Sequence, residues 1–174
     1  ELIAKKVKIF KTIPDAISKS NIVVATSVRR RELSIPLINF EEFYKLKAKK
    51  ITIIFGQENN GLSNKEISYA NYILTIPTQK SKSLNLSHTV AIVSYMLSRS
   101  TKVLEDTIVK NSLKSQDIEK FINYLMLLLE NRQFTTIEAK THNLELSLRS
   151  FIKTSNIDQK MLKTAYGVIK NLTK

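Results

Sequence analysis

The run Ile53-Ile-Phe-Gly-Gln-Glu-Asn-Asn-Gly-Leu62, followed by Ile76-Pro77 and then Ser83-Leu-Asn-Leu-Ser87, decides how this chain is read. Each part is an apolar stretch that ends in a turn containing Gly or Ser and leads into a helical pattern. Two such turns about one βα unit apart can stand side by side at one edge of a sheet. In open α/β folds that edge, outside the carboxyl ends of the strands, is where ligands bind.

The surrounding sequence extends the pattern. Asn21–Ala25 reads as a short buried strand that leaves through Thr26 and Ser27 into a loop ending at Pro36. Ile51–Phe55 is uniformly apolar or β-branched, as a parallel strand covered on both faces requires. Tyr72–Ile76 is a third strand, stopped by Pro77. Pro14 and Asp15 open a helix within Thr12–Ser20. Asn39 with Glu42, and Ser63 with Glu66, have the spacing of capping boxes. The first predicts a helix to about Lys47, the second a short helix, and a long helix is expected from Asn85 to about Glu105. Strands alternating with helices predict a parallel α/β sheet. After about Asp106 only helical spacing remains: Ile118, Phe121, Ile122, Leu125 and Leu129; then Leu144, Leu148, Phe151 and Ile152; then Ile157, Met161, Leu162, Ala165, Val168, Ile169 and Leu172. The expected organisation is an α/β domain over residues 1–105 and an all-helical unit of about three helices over 106–174.

The composition excludes several classes. The 43% apolar and 25% charged content is that of a globular protein, and no apolar run approaches a membrane span. The absence of cysteine rules out disulfides and thiolate metal sites and fits a reducing cytoplasm. Two widely separated histidines offer no metal site. A net charge of +13 points to an anionic partner, RNA first. Lys, Asn and Ile are all abundant, so a coding bias accounts equally well for much of the lysine excess. The cluster Arg29, Arg30 and Arg31 is harder to assign to bias, although a run of charge is often only a solvated surface.

The candidate site residues also have ordinary explanations. Gly56 after a strand lets backbone come close to a ligand, and Gly61 can supply a positive φ; both also suit a plain turn. Glu58 is a loop carboxylate that could be merely solvated. Ser83 and Asn85 are favoured helix caps, and a helix start also offers free N–H groups to an oxygen-bearing ligand. His88, one turn into the long helix, is more simply a capped or half-buried side chain, and so is His142 at the opening of a tail helix.

The wording Phe-Gly-x-Glu-x-x-Gly-Leu (55–62), then Ile-Pro (76–77) and Ser-Leu-Asn (83–85), resembles the second and third motifs of the SPOUT RNA methyltransferases, nearest the TrmH/TrmJ type. The tail segment Leu148-Arg149-Ser-Phe151 and the last helix are similar, more loosely, to the helical extension of TrmJ-type enzymes. The resemblance implies a SPOUT-like parallel sheet with a C-terminal trefoil knot, a homodimer, no metal, and S-adenosylmethionine-dependent methylation of a tRNA ribose 2′-hydroxyl at anticodon-loop nucleotide 32. It implies that Thr26, Ser27, Gly56, Gln57, Ile76, Ser83, Leu84, Asn85 and Leu86 hold the cofactor. Glu58, Ser83 and Asn85 would serve the reaction, and Arg29, Arg30 and Arg31 would contact RNA phosphates, which position RNA without reading its sequence. The sequence departs from the family in one respect: nothing here matches the first motif, whose Asn and Arg include the activator of the ribose hydroxyl. A missing N-terminal piece is therefore expected, with no methyl transfer by this chain alone. Two alternatives stay open: a ribosomal RNA methyltransferase of the same superfamily, and a truncated RNA-binding module without turnover.

Overall fold

The computed structural model describes residues 6–27, 34–78, 84–99, 113–134, 137–155 and 157–173. Four short parallel strands form one sheet: β1 (Ile22–Thr26), β2 (Leu37–Ile38), β3 (Ile51–Ile54) and β4 (Tyr72–Leu74). They are ordered β2-β4-β1-β3. In register, Ala25 stands beside Ile54 of β3 and Ile73 of β4. The three expected strands are present, each within two residues of its predicted end. The two-residue β2 was not anticipated, because two residues after Pro36 carry no readable period.

Period-two alternation divides the sheet between two apolar layers. On one face Val23, Ala25 and Ile73 pack with Ile17 of α1 (Ile13–Ile17) and Ile67 of α3 (Asn64–Ser68). On the other, Val24, Ile38 and Leu74 pack with Phe43 of α2 (Phe40–Phe43) and Val93 of α4 (Leu86–Arg99). Both expected capping boxes form: Asn39 with Glu42 starts α2, and Ser63 with Glu66 starts α3. Helix α2 ends four residues short of the expected Lys47. α4 begins one residue after Asn85, and its expected end at Glu105 lies outside the described residues.

The tail forms α5 (Ser115–Asn131), α6 (Glu138–Thr154) and α7 (Gln159–Leu172). Their common core is Ile118, Phe121, Ile122, Ile152 and Leu162, with Tyr166 edge-on to Phe121 at 4.7 Å between ring centres. The expected α6 stripe is corrected by the structure. Phe151 is 65% exposed, while Leu146, Arg149, Ser150, Ile152 and Lys153 are buried. Of these, Ile152 joins the tail core as expected, whereas Arg149 and the Lys153 carbonyl turn to the α/β unit. Likewise Met161, Val168 and Leu172 of α7 are exposed. His142 lies in the second turn of α6 rather than at its opening.

The seam between the two parts is polar. The Arg149 guanidinium lies over the Tyr69 ring at 4.5 Å. It donates to Glu119 of α5 at 3.0 Å, to Glu145 at 2.6 Å and to Ser68 at 3.4 Å. The Lys153 ammonium donates to Ser115 at 2.9 Å. Asn71, just before β4, accepts from the Val23 N–H at 2.8 Å and donates to the Lys153 carbonyl at 2.8 Å, tying sheet to α6.

Candidate functional site at the carboxyl edge of the sheet

Three strand exits meet at the carboxyl edge. β1 ends at Thr26, whose Oγ1 donates to the Ile54 carbonyl at the end of β3 (3.3 Å). Beyond β3, Phe55 shares an apolar cluster with Ile76, which follows β4. The sequence spacing suggests that the exits after β3 and β4 can share one edge; the parallel pairing of β1 with both strands sets the β1 exit between them.

The loop after β3 is a tight, self-contacting turn. Gly61 N–H donates to the Gln57 carbonyl at 2.8 Å, closing residues 57–61. Gly61 has φ +65°, the left-handed conformation expected of it. Gly56 has a reason within the loop itself, the plain-turn reading. A Cβ there would lie 2.3 Å from the Gly61 carbonyl carbon and 2.4 Å from the Leu62 nitrogen. It is the loop's own returning backbone that needs the missing side chain.

At the tip of this turn the exposed Glu58 reaches the start of α4, where its Oε1 accepts a hydrogen bond from Asn85 Nδ2. Asn85 immediately precedes α4, and its Oδ1 accepts the Ser87 N–H at 2.8 Å, as an N-cap does. The Ser87 hydroxyl donates to the same oxygen. With Oδ1 taking two bonds from Ser87, the amide is oriented so that its Nδ2 faces the carboxylate. Sequence reading picked out Glu58 and Asn85 and missed Ser87. The signal was available, since Ser two residues after a capping Asn is well placed to close on it.

The other candidates are distributed as follows. Thr26, Ser27, Gly56, Ile76, Leu84 and Leu86 are half-buried near this edge, and Gln57 is exposed on the turn. His88 is exposed on the first turn of α4. Ser83 and the run Arg29, Arg30 and Arg31 lie outside the described residues. Among the described residues no three His, Cys, Asp or Glu side chains could hold a metal ion together. Likewise, no described helix is long and apolar enough to cross a membrane.

The comparisons with known proteins bear on the family and the fold. Residues 2–95 match the model of the SpoU rRNA Methylase family. The chain is 28% identical over 178 residues to the tRNA (cytidine/uridine-2′-O-)-methyltransferase TrmJ of Photorhabdus laumondii, covering 94% of this chain and 73% of that protein. It is 33% identical over 144 residues to the tRNA (cytidine-2′-O-)-methyltransferase TrmJ of Sulfolobus acidocaldarius, covering 78% of this chain and 59% of that one. Against a shorter-matching uncharacterized tRNA/rRNA methyltransferase of Haemophilus influenzae it spans 48% of the relative's length. The crystal structure of TrmJ from Z. mobilis superposes with a TM-score of 0.87 over 99% of this chain and 76% of that one, at 23% identity, which is a likeness of fold.

Proposed function

The chain belongs to the SpoU rRNA Methylase family, and from that premise we propose that it is the cofactor-side part of an S-adenosylmethionine-dependent RNA 2′-O-methyltransferase whose substrate is tRNA, at anticodon-loop nucleotide 32. The observation that carries the reading is the Glu58–Asn85–Ser87 chain of hydrogen bonds. It joins the two family-like segments at the carboxyl edge of a parallel sheet, where such folds bind ligands. Relatives of both bacterial and archaeal origin that carry the tRNA name support tRNA over ribosomal RNA.

The donor set suits the cofactor. Half-buried Ile76, Leu84 and Leu86 offer apolar cover for an adenosine, and Thr26 and Ser27 supply polar groups beside them. The space a Cβ would fill at Gly56 is taken by the chain's own backbone, so the glycine shapes the turn whose main chain, with Gln57, would hold the ligand. When bound, S-adenosylmethionine supplies an electrophilic methyl group. The protein's own task is to hold a ribose hydroxyl in position and assist loss of its proton. Asn85 spends both ends of its amide on protein groups, so we give it a positioning role. Glu58 has one carboxylate oxygen bound by Asn85; the other would accept the hydrogen bond of the ribose hydroxyl. Ser83 and the three arginines complete the reading as ligands of cofactor and phosphate. A trefoil knot, a homodimer, a cytoplasmic location and a division into residues 1–105 and 106–174 belong to the same proposal.

The test is methyl transfer by the protein expressed from its complete reading frame, with radiolabelled cofactor and unmodified tRNA. Label is expected on a ribose 2′-oxygen, and Glu58→Ala should slow turnover by about 100-fold, the scale of a misplaced reactant. Label on a base, or on no RNA, overturns the reading. Label on ribosomal RNA alone selects the ribosomal alternative.

A further inference from the structure

The carboxyl edge of the sheet carries the proposed site; the amino edge carries lysines. Lys19 precedes β1, Lys49 and Lys50 precede β3, and Lys114 precedes α5. Backbone contacts draw these three segments together. The Asn21 N–H donates to the Lys50 carbonyl at 2.9 Å, and the Lys50 N–H to Asn21 Oδ1 at 3.1 Å. Asn21 Nδ2 donates to the Leu113 carbonyl at 3.3 Å, and the Ser115 N–H to the Ser20 carbonyl at 2.8 Å. All four lysines are exposed, as are Lys45 and Lys47 just ahead of β3.

Among the described residues none of these six ammonium groups is in an ion pair; both ion pairs belong to Arg149. The carboxylates on the same elements are few. Asp15 on α1 is bonded by the Thr12 hydroxyl at 2.6 Å; on α5, Asp117 sits in the first turn, Glu119 is held by Arg149 and Glu130 lies at the far end. A lysine-rich composition can scatter ammonium groups over a surface, but here the fold gathers them from segments up to 95 positions apart (Lys19 and Lys114). None of the exposed large apolar side chains lies in residues 18–21, 45–50 or 113–116. The patch is therefore made of point charges without an inserting apolar group. That suits a phosphate backbone, whereas a membrane-surface segment also buries apolar side chains.

We propose that this amino-edge patch is a second RNA contact, gripping the phosphates of the same RNA whose reacting ribose lies at the carboxyl edge. The proposal rests on the RNA-modifying reading above. Strands of four to five residues separate the two edges by about 15 Å. Over that distance a duplex carries roughly nine phosphate charges, so one RNA can meet both edges.

The experiment uses the full-length protein, unmodified tRNA and a salt titration of binding. Replacing Lys19, Lys49, Lys50 and Lys114 together by Gln should lower the magnitude of the log–log salt slope by about 3. It should also weaken binding at physiological salt on the order of 100-fold. The matching Lys→Arg quadruple variant should keep the wild-type slope. An unchanged slope in the Gln variant overturns the proposal, as does equal loss in the Arg variant, because charge would then not be the cause. Binding of the wild type, but not the Gln variant, to anionic phosphatidylserine vesicles, with tRNA binding alike in both, would assign the patch to a lipid surface and overturn it too. If the wild type itself has no salt-dependent affinity for tRNA, both this proposal and the RNA reading fall; if only the patch variant behaves as wild type, the patch alone falls.

Discussion

The two sides of α3 are built on opposite principles. Inward, Ile67 is fully buried against Val23, Ala25 and Ile73, an apolar contact that is stabilising in proportion to area and indifferent to pH. Outward, Ser68 and the adjoining Tyr69 meet Arg149 of α6, a 2% exposed guanidinium held by two carboxylates and an aromatic face. One five-residue helix thus joins a tolerant interface to a demanding one. Apolar packing holds the sheet layer together under many substitutions of similar volume. The seam holds only while every charge keeps its partner.

The largest effect should come from breaking that seam. Arg149→Ala leaves Glu119, whose side chain is 12% exposed, without its cation and uncovers the Tyr69 ring. A loss of about 4 kcal/mol is expected, the cost of orphaning a buried charge, read from the urea denaturation curve. A loss below about 1 kcal/mol would mean that the seam adds little and that the contrast between the two sides of α3 is only apparent.

A second change should work in the opposite direction. Burial pushes the Lys153 ammonium down to about 8; the Glu119 carboxylate opposes that shift and the Arg149 guanidinium adds to it. The unfolded chain, with an ordinary lysine near 10.5, binds the extra proton between about pH 8 and 10.5. Stability should therefore rise with pH through that window, and the penalty of the buried charge is fully present below it. Lys153→Met removes a penalty of about 3 kcal/mol and a hydrogen bond to Ser115 worth about 1 kcal/mol. A net gain of about 2 kcal/mol at pH 7 is expected, with a flattened rise above pH 8. Thermal melts across that range decide it; a destabilised variant with the wild-type pH dependence would show that the ammonium is well solvated.

The smallest effect belongs to the site, where solvent screens the polar network. Ser87→Ala removes one of the two bonds that orient the Asn85 amide. Turnover should fall about five-fold, the equivalent of one hydrogen bond of about 1 kcal/mol, with an unchanged melting temperature and recovery in Ser87→Thr. An equal loss in the Thr variant would assign the effect to packing at the start of α4 instead.

The strands and most helix starts were legible because their signals are local. Apolar β-branched runs, Asn39 with Glu42, and Ser63 with Glu66 act within four residues of themselves. β2 escaped because its two residues pair only through long-range contact with β4. On α6 Ile152 is buried as expected and Phe151 is not, for a physical reason: hydrophobicity places Phe151 inward, yet Arg149 and Lys153 share the buried face instead. No period in the sequence distinguishes a charge that will be paired across a seam from one that will be solvated. At Gly56 the sequence leaves turn and ligand readings side by side, because the return of Gly61 and Leu62 to within a Cβ's reach is a property of the closed loop.

By itself the sequence determined the class of fold and the helical tail, since each depends on hydrophobic period, capping or turn chemistry over a few neighbours; Glu58 and Asn85 were singled out by family resemblance. Only the tertiary structure decided that Glu58 bonds Asn85 across 27 positions, and that Ser87 turns the amide toward it. It also decided that the tail docks through buried charge and that distant lysines share one edge of the sheet. Each of these depends on which strands lie side by side, and that order is set by the energy of the whole packed core rather than by any local run of residues.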